Sequence, residues 1–321
     1  MKKIAVLADY LEPSHHALID STAARCGFAV DYYPDGRVPA ELAGTYEVVH
    51  GMPKPGDLKA FTGMKWFCGS FAGVDAYLDD ALYPSPEVML SNSSGAYGVT
   101  IAEHLIMVTL MLLRHADTYL HHADAHRWGP VMPMRSIIGS TITVLGTGDI
   151  GTEFARRAKA MGAKEIRGVR RTKKAADPAF DGVYTHAELD SLLPDTDILV
   201  MALPSTADTV GILSRDRIAL LPETAYVVNV GRGTAIDQSA LVEALNAGKL
   251  AGAALDVFEK EPIPAGDPAW DAKNLLITPH ISGQMSLGYT RDKNVALFCE
   301  DLENYAAGRP LKRYVDRKIG Y

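Results

Sequence analysis

Short apolar runs of strand length recur along the chain, and amphipathic stretches of helix length separate most of them. KIAVLA (3–8), FAVDYY (28–33), YEVVHG (46–51) and WFCGS (66–70) read as strands, with a helical stretch near 14–26 between the first two. A second and longer series begins at TITVLG (141–146). It continues through EIRGV (165–169), DILVMAL (197–203), AYVVNV (225–230), AGAALDV (251–257) and NLLITP (274–279). RDRIALL (215–221) and QSALVEALNAG (238–248) read as helices, the latter closed by a glycine. Near-continuous apolar strands alternating with helices predict parallel α/β structure.

Between the two series lies TIAEHLIMVTLMLLRHADTYLHHADAHRW (100–128), read as one long helix. It is apolar on several sides, so burial between domains or subunits is expected. SLGYTRDKNVALFCEDLENYAAG (286–308) also reads as helix, and its return to the first domain would make that domain discontinuous.

Length and composition narrow the class. At 321 residues the chain exceeds what one core usually serves, and 47% hydrophobic with 22% charged residues is ordinary for a globular protein. A formal charge of −7 argues against general nucleic-acid binding. No stretch approaches the ~20 apolar residues that span a bilayer. The opening MKKIAVLADY mimics a secretion signal only until Asp9 interrupts it, so a first strand is the better reading. Cys26, Cys68 and Cys299 are odd in number and far apart, which suits free thiols and a cytoplasmic location.

Gly146, Gly148 and Gly151 carry the G-x-G-x-x-G spacing between a β-branched strand and a helix rich in Ala, Arg and Lys. The first allows a tight turn, the second lets backbone approach a pyrophosphate, and the third lets helix and strand pack closely. The helix N-terminus then offers N–H groups to the anion. The next strand runs into Arg170, Arg171 and Thr172, where a carboxylate would accept from the ribose of NAD. A guanidinium there suits the 2′-phosphate of NADP instead, so NADP(H) is expected over NAD(H), with NAD(H) as the alternative. Lys173 and Lys174 read as a solvated basic turn.

Three segments at strand carboxyl ends carry the remaining chemistry. VVNVGRGTAID (227–237) presents Arg232, ALDVFEKEP (254–262) presents Asp256 and Glu261, and ITPHISG (277–283) presents His280. A cation, a carboxylate and a histidine at that edge match the needs of 2-keto acid reduction. The arginine binds and polarises the anionic substrate, the histidine supplies a proton, and the glutamate orients the imidazole.

With these motifs in order, the chain resembles the D-isomer-specific 2-hydroxyacid dehydrogenases along nearly its whole length. SFAGVD (70–75), IAEH (101–104), VLGTGDIG (144–151), ALPST (202–206), NVGRG (229–233), DVFEKEP (256–262) and TPHISG (278–283) carry the resemblance. The paired arginines are most like the NADPH-dependent glyoxylate/hydroxypyruvate reductase branch. The resemblance implies two Rossmann/flavodoxin-like parallel-sheet domains separated by an active-site cleft. A discontinuous substrate-binding domain would span 1–98 plus 287–321, and a dinucleotide-binding domain 99–286. It implies a catalytic triad of Arg232, Glu261 and His280. Ala72, Gly73 and Val74, with Arg232, would hold the substrate. Cofactor contacts would come from Thr100, Gly146, Thr147, Gly148, Asp149, Ile150, Gly151, Arg170, Arg171, Thr172, Leu203, Pro204 and Val230. Asp256 would hold the nicotinamide carboxamide. The expected partner is a small anionic 2-keto or 2-hydroxy acid. A homodimer through the cofactor domains and the 100–128 helix is also implied. The same machinery could serve a bulkier or phosphorylated keto acid, or a nucleotide-sensing binding protein. Phe71 stands where the family often has a small residue, implying a differently shaped pocket.

Other residues have plainer readings. His115, His121, His122 and His126 lack a carboxylate–histidine motif, so a polar face or subunit contact is expected and no metal is assigned. His104 lies among apolar neighbours and reads as a hydrogen-bonded core residue. Packing is the default for Trp128, although in related reductases an aromatic near this position reaches the partner's active site. His50 and Met52 follow a strand end and either line the cleft or cap the strand.

Overall fold

A computed structural model describes residues 1–173 and 177–321, so Lys174 of the basic turn lies outside the described residues. The chain forms two compact units, Met1–Tyr97 with Gln284–Tyr321, and Gly98–Gly283.

In the first unit β1 (Lys2–Leu7), β2 (Phe28–Tyr32), β3 (Val48–Gly51), β4 (Trp66–Gly69) and β5 (Met89–Ser91) form a parallel sheet in the order β2-β1-β3-β4-β5. Side-chain alternation sends Ile4 and Val6 to one face and Ala5 and Leu7 to the other. The first face is covered by the helices Pro13–Arg25 and Gly288–Ala306, which bury Ile19, Val295, Phe298 and Leu302 against Trp66. The second buries Tyr46, Val49, Leu58, Phe67 and Leu90. His50 is fully buried against Phe298 on the first face, so it belongs to the core there, and Met52 is exposed.

The second unit holds β6 (Thr141–Leu145), β7 (Glu165–Arg170), β8 (Gly182–Thr185), β9 (Ile198–Met201), β10 (Tyr226–Asn229), β11 (Gly252–Leu255) and β12 (Leu275–Ile277). All are parallel, in the order β12-β11-β10-β9-β6-β7-β8. The chain winds outward from β6 in both directions, so the strand order reverses between β6 and β9. That reversal opens a crevice at the carboxyl edge, the position at which open α/β sheets bind ligands.

The stretch 100–128 is not one helix. Gly98–Leu113 and Ala116–Asp124 meet at an angle of 66°, with His115 between them at φ 55°. A residue in the left-handed region cannot continue the hydrogen-bond ladder, and the His115 Nε2–H donates instead to the Pro133 carbonyl at 2.9 Å. Only the first helix is buried. Its inner residues, among them Ile101, Leu105, Val108 and Leu112, pack in their own unit on the helix Asp149–Ala160 and on β10 and β11, whereas no residue of the second helix is buried. Trp128 is fully exposed, so the packing expected for it is absent within this chain. The edge strands β5 and β8 were not expected from the sequence. Among the described residues, no single helix is long and apolar enough to cross a membrane.

Candidate active site

The glycine turn after β6 has the geometry its spacing demands. Gly146 adopts φ +102°, and a Cβ there would sit 2.6 Å from the Ala202 carbonyl oxygen. A Cβ on Gly151 would sit 1.9 Å from the Gly146 carbonyl oxygen, so helix and strand touch through backbone. A Cβ on Gly148 would meet nothing within 4 Å, which leaves that side open to an approaching group. The helix Asp149–Ala160 starts here, and the first-turn N–H groups of Asp149, Ile150 and Gly151 have no intrahelical acceptor. Thr147 lies over β7, where Gly168 leaves room for its methyl group. This bare, amide-rich turn fits a dinucleotide pyrophosphate.

Asp149 also does something the motif does not announce. Its Oδ2 accepts the Gly98 N–H at 2.7 Å, tying the dinucleotide helix to the first turn of Gly98–Leu113. Thr100 is buried in that same turn. Arg170 ends β7 opposite Thr185 of β8 and is partly exposed, with Arg171 and Thr172 exposed beyond it. No carboxylate ends β7.

After β9, Leu203 is buried and Pro204 exposed. The loop is organised by the buried Thr209, whose hydroxyl donates to the Pro204 carbonyl at 2.6 Å and accepts the Thr206 N–H at 2.8 Å. After β10, Val230 is buried and Asn229 braces the turn that presents Arg232. The Asn229 amide donates to the Arg232 carbonyl and accepts the Gly231 N–H, each at 2.9 Å. Gly231 and Gly233 leave no room for side chains against Leu203 and Phe258.

Asp256 follows β11 and builds the turn that carries His280. Its carboxylate accepts from Thr278 Oγ1 at 2.6 Å and from the Ile281 and Ser282 N–H groups at 2.9 and 3.0 Å. The His280 N–H in turn donates to the Asp256 carbonyl at 2.9 Å, with φ 53° at His280. Burial alone would raise the Asp256 pKa, but the hydrogen bonds from Ser282, Thr278 and the two amides hold the carboxyl below its usual range. The half-buried His104 lies 3.3 Å from Thr278 Oγ1, and burial lowers its pKa, in keeping with the hydrogen-bonded role expected of it. Glu261 closes the cluster. Oε1 accepts the Phe258 N–H at 2.9 Å and Oε2 lies 2.7 Å from His280 Nδ1. The structure therefore brings Glu261 and His280 together, and Asp256 beneath them serves their geometry. The sequence motif named Asp256, Thr278 and Ser282 without revealing that they bond one another.

In the first unit, the segment 70–75 leaves β4 with the N–H groups of Gly73 and Val74 finding no acceptor among the described residues. Phe71 folds back over Gly69, where a Cβ would lie 2.3 Å from its ring, and stacks on Tyr77 at 4.5 Å. Among the described residues no group of three or more His, Cys, Asp or Glu is arranged to hold a metal ion.

Comparison with known proteins follows the same lines. The family model described as D-isomer specific 2-hydroxyacid dehydrogenase, NAD binding domain, matches residues 106–282. A glyoxylate/hydroxypyruvate reductase A of Klebsiella pneumoniae is 32% identical over 257 residues, 78% of this chain and 80% of that protein. A D-isomer specific 2-hydroxyacid dehydrogenase family protein from Aeromonas salmonicida superposes with a TM-score of 0.83 at 30% identity, over 98% of this chain and 99% of that one. An NADPH-dependent glyoxylate/hydroxypyruvate reductase from Sinorhizobium meliloti, solved with NADP and sulfate, gives 0.83 at 27% identity over the whole of both chains.

Proposed function

From the premise that this chain belongs to the D-isomer specific 2-hydroxyacid dehydrogenase family, and is a nicotinamide-dependent oxidoreductase, we propose that it reduces small 2-keto acids such as glyoxylate or hydroxypyruvate to D-2-hydroxy acids, with NADPH preferred. The observation that carries the reaction is the Glu261–His280 pair on a turn built by Asp256. Nδ1 of His280 is oriented by the glutamate, which assigns proton delivery to Nε2. Arg232, held by the Asn229 brace, binds the substrate carboxylate and polarises the carbonyl. The Gly73 and Val74 amides, with Ala72 beside them, are assigned to substrate binding from the first unit. When bound, the reduced nicotinamide supplies a hydride to C2. His280 gives the proton that the carbonyl oxygen then needs.

The cofactor assignment rests on the open side of Gly148, the helix amides of Asp149 to Gly151, and Arg170 with Arg171 and Thr172 for the 2′-phosphate. Thr147, Leu203, Pro204 and Val230 line the rest of the crevice, Thr100 supports it, and Asp256 is assigned to the nicotinamide carboxamide as well as to the His280 turn. An NADPH-oxidation assay with glyoxylate, hydroxypyruvate, pyruvate and 2-ketoisocaproate tests the reading. Turnover with the smallest acids supports it, and no oxidation with any of the four ends it.

The proposal extends to a cytoplasmic homodimer. Met107, Leu120, Trp128, Met132, Met134 and Ile138 are all exposed within a short length of chain, an apolar surface that a second copy would cover. The three cysteines are free, which suits a reducing compartment.

A further inference from the structure

We infer that Asn294, on the helix Gly288–Ala306, is a positioning residue that sets the 70–75 segment for carboxylate binding; this rests on the function proposed above. Asn294 is fully buried, and both ends of its amide are used. Nδ2 donates to Ser93 Oγ at 2.5 Å, and Ser93 Oγ donates to the Gly69 carbonyl at 2.9 Å. Oδ1 lies 2.7 Å from the Tyr10 hydroxyl, which lies 2.7 Å from Ser70 Oγ. An amide oxygen can only accept. Tyr10 therefore spends its one proton on Asn294, and the Ser70 hydroxyl donates to Tyr10. Every proton in the chain has one destination, so the arrangement has a single direction.

The carbonyls that follow are tied down in succession. Gly69 accepts from Ser93 Oγ, Ser70 from the Tyr97 hydroxyl at 2.5 Å, Phe71 from the Ser93 N–H at 2.9 Å, and Ala72 from Asn92 Nδ2 at 2.7 Å. With each of these carbonyls committed to its own unit, the peptide planes are fixed up to Gly73. Beyond them, the N–H groups of Gly73 and Val74, like those of Phe71 and Ala72, find no acceptor among the described residues. Ser70, Ser93 and Asn294 are almost wholly excluded from water, so a broken link is not repaired by solvent. The hub comes from the second stretch of chain in the unit, far from the segment it serves.

Three variants test this: Tyr10→Phe, which keeps the ring and removes only the link; Asn294→Ala; and the double variant. Each single change should raise the keto-acid KM by roughly tenfold, the worth of one hydrogen bond. NADPH affinity should stay within about twofold, and the double variant should fall short of the product of the singles, because they act through one chain. Amide exchange should quicken at 70–74 and not in β1. An unchanged keto-acid KM in Tyr10→Phe overturns the assignment. So does a rise in which keto-acid KM and NADPH affinity worsen together with thermal stability, the mark of a purely structural role. If the native protein reduces no keto acid, the functional reading is what fails, and unchanged exchange at 70–74 in the variants separately overturns the anchoring.

Discussion

Nδ1 of His280 lies 2.7 Å from Oε2 of Glu261, and the other oxygen of that carboxylate takes the Phe258 N–H at 2.9 Å. The carboxylate is thus held from behind and fixes the ring in front. His280→Asn should lower kcat by roughly 10²–10⁴ and leave NADPH affinity nearly unchanged, since the proposed function assigns the imidazole to the reacting oxygen. Glu261→Gln keeps an acceptor on Nδ1 and should cost less. Steady-state kinetics with a fluorescence titration of NADPH make the check, and near-native turnover in His280→Asn would assign the proton to another group.

Arg170 stands at the end of β7, where NAD-type sites carry a carboxylate. Two charge-assisted hydrogen bonds to a 2′-phosphate should give a preference for NADPH on the order of hundredfold in kcat/KM. Arg170→Asp should lose most of that and spare NADH. Equal kcat/KM for both cofactors in the native protein would refute it.

The Asp256 carboxyl, although buried, is held below its usual range by its hydrogen bonds. A depressed folded-state pKa stabilises the fold above the unfolded value near 3.9 and loses that stabilisation as pH falls through the folded value. Asp256→Asn should cost about 1–3 kcal/mol at neutral pH, because its NH2 would face N–H donors. The gap between native and variant melting temperatures should narrow below about pH 4. A constant gap across that range would contradict it.

His50 offers a second pH test in the other unit. Burial against Phe298, at a ring distance of 4.0 Å, pushes its pKa down to about 4, while Nδ1 bonds the Cys68 carbonyl and Nε2 has no partner among the described residues. The unfolded histidine binds a proton near 6.5, so between about 6.5 and 4 the unfolded chain holds more protons and stability falls with pH. The full loss is about 3 kcal/mol at 1.36 kcal/mol per pH unit. His50→Leu should remove this portion of the acid sensitivity in urea titrations. An identical acid profile in variant and native protein would show that the group does not titrate as assigned.

Much of this molecule could be read from the chain because chemistry-bearing residues directly follow apolar strands. Gly146, Arg232, Asp256 and His280 each lie at or just beyond a strand end in the structure, as the pattern implied. What escaped was short or non-local. Met89–Ser91 and Gly182–Thr185 are too brief to show a period. The break at His115 has no glycine or proline to announce it, and its cause is one backbone conformation with a partner at Pro133. The Asp149–Gly98 and Asn294–Ser93 bonds join residues with no common motif, so only the folded chain reveals them.

Because Val295, Phe298 and Leu302 complete the core around Ile4 and Trp66, the first unit needs residues from both stretches of chain. On the ribosome, synthesis therefore reverses the order of assembly. Residues 98–283 can close their own sheet as soon as they emerge, while β1 to β5 wait with one apolar face only part-covered, by the helix Pro13–Arg25, until the helix Gly288–Ala306 arrives. The segment made first is finished last, and that interval is when a nascent chain of this architecture most depends on chaperones.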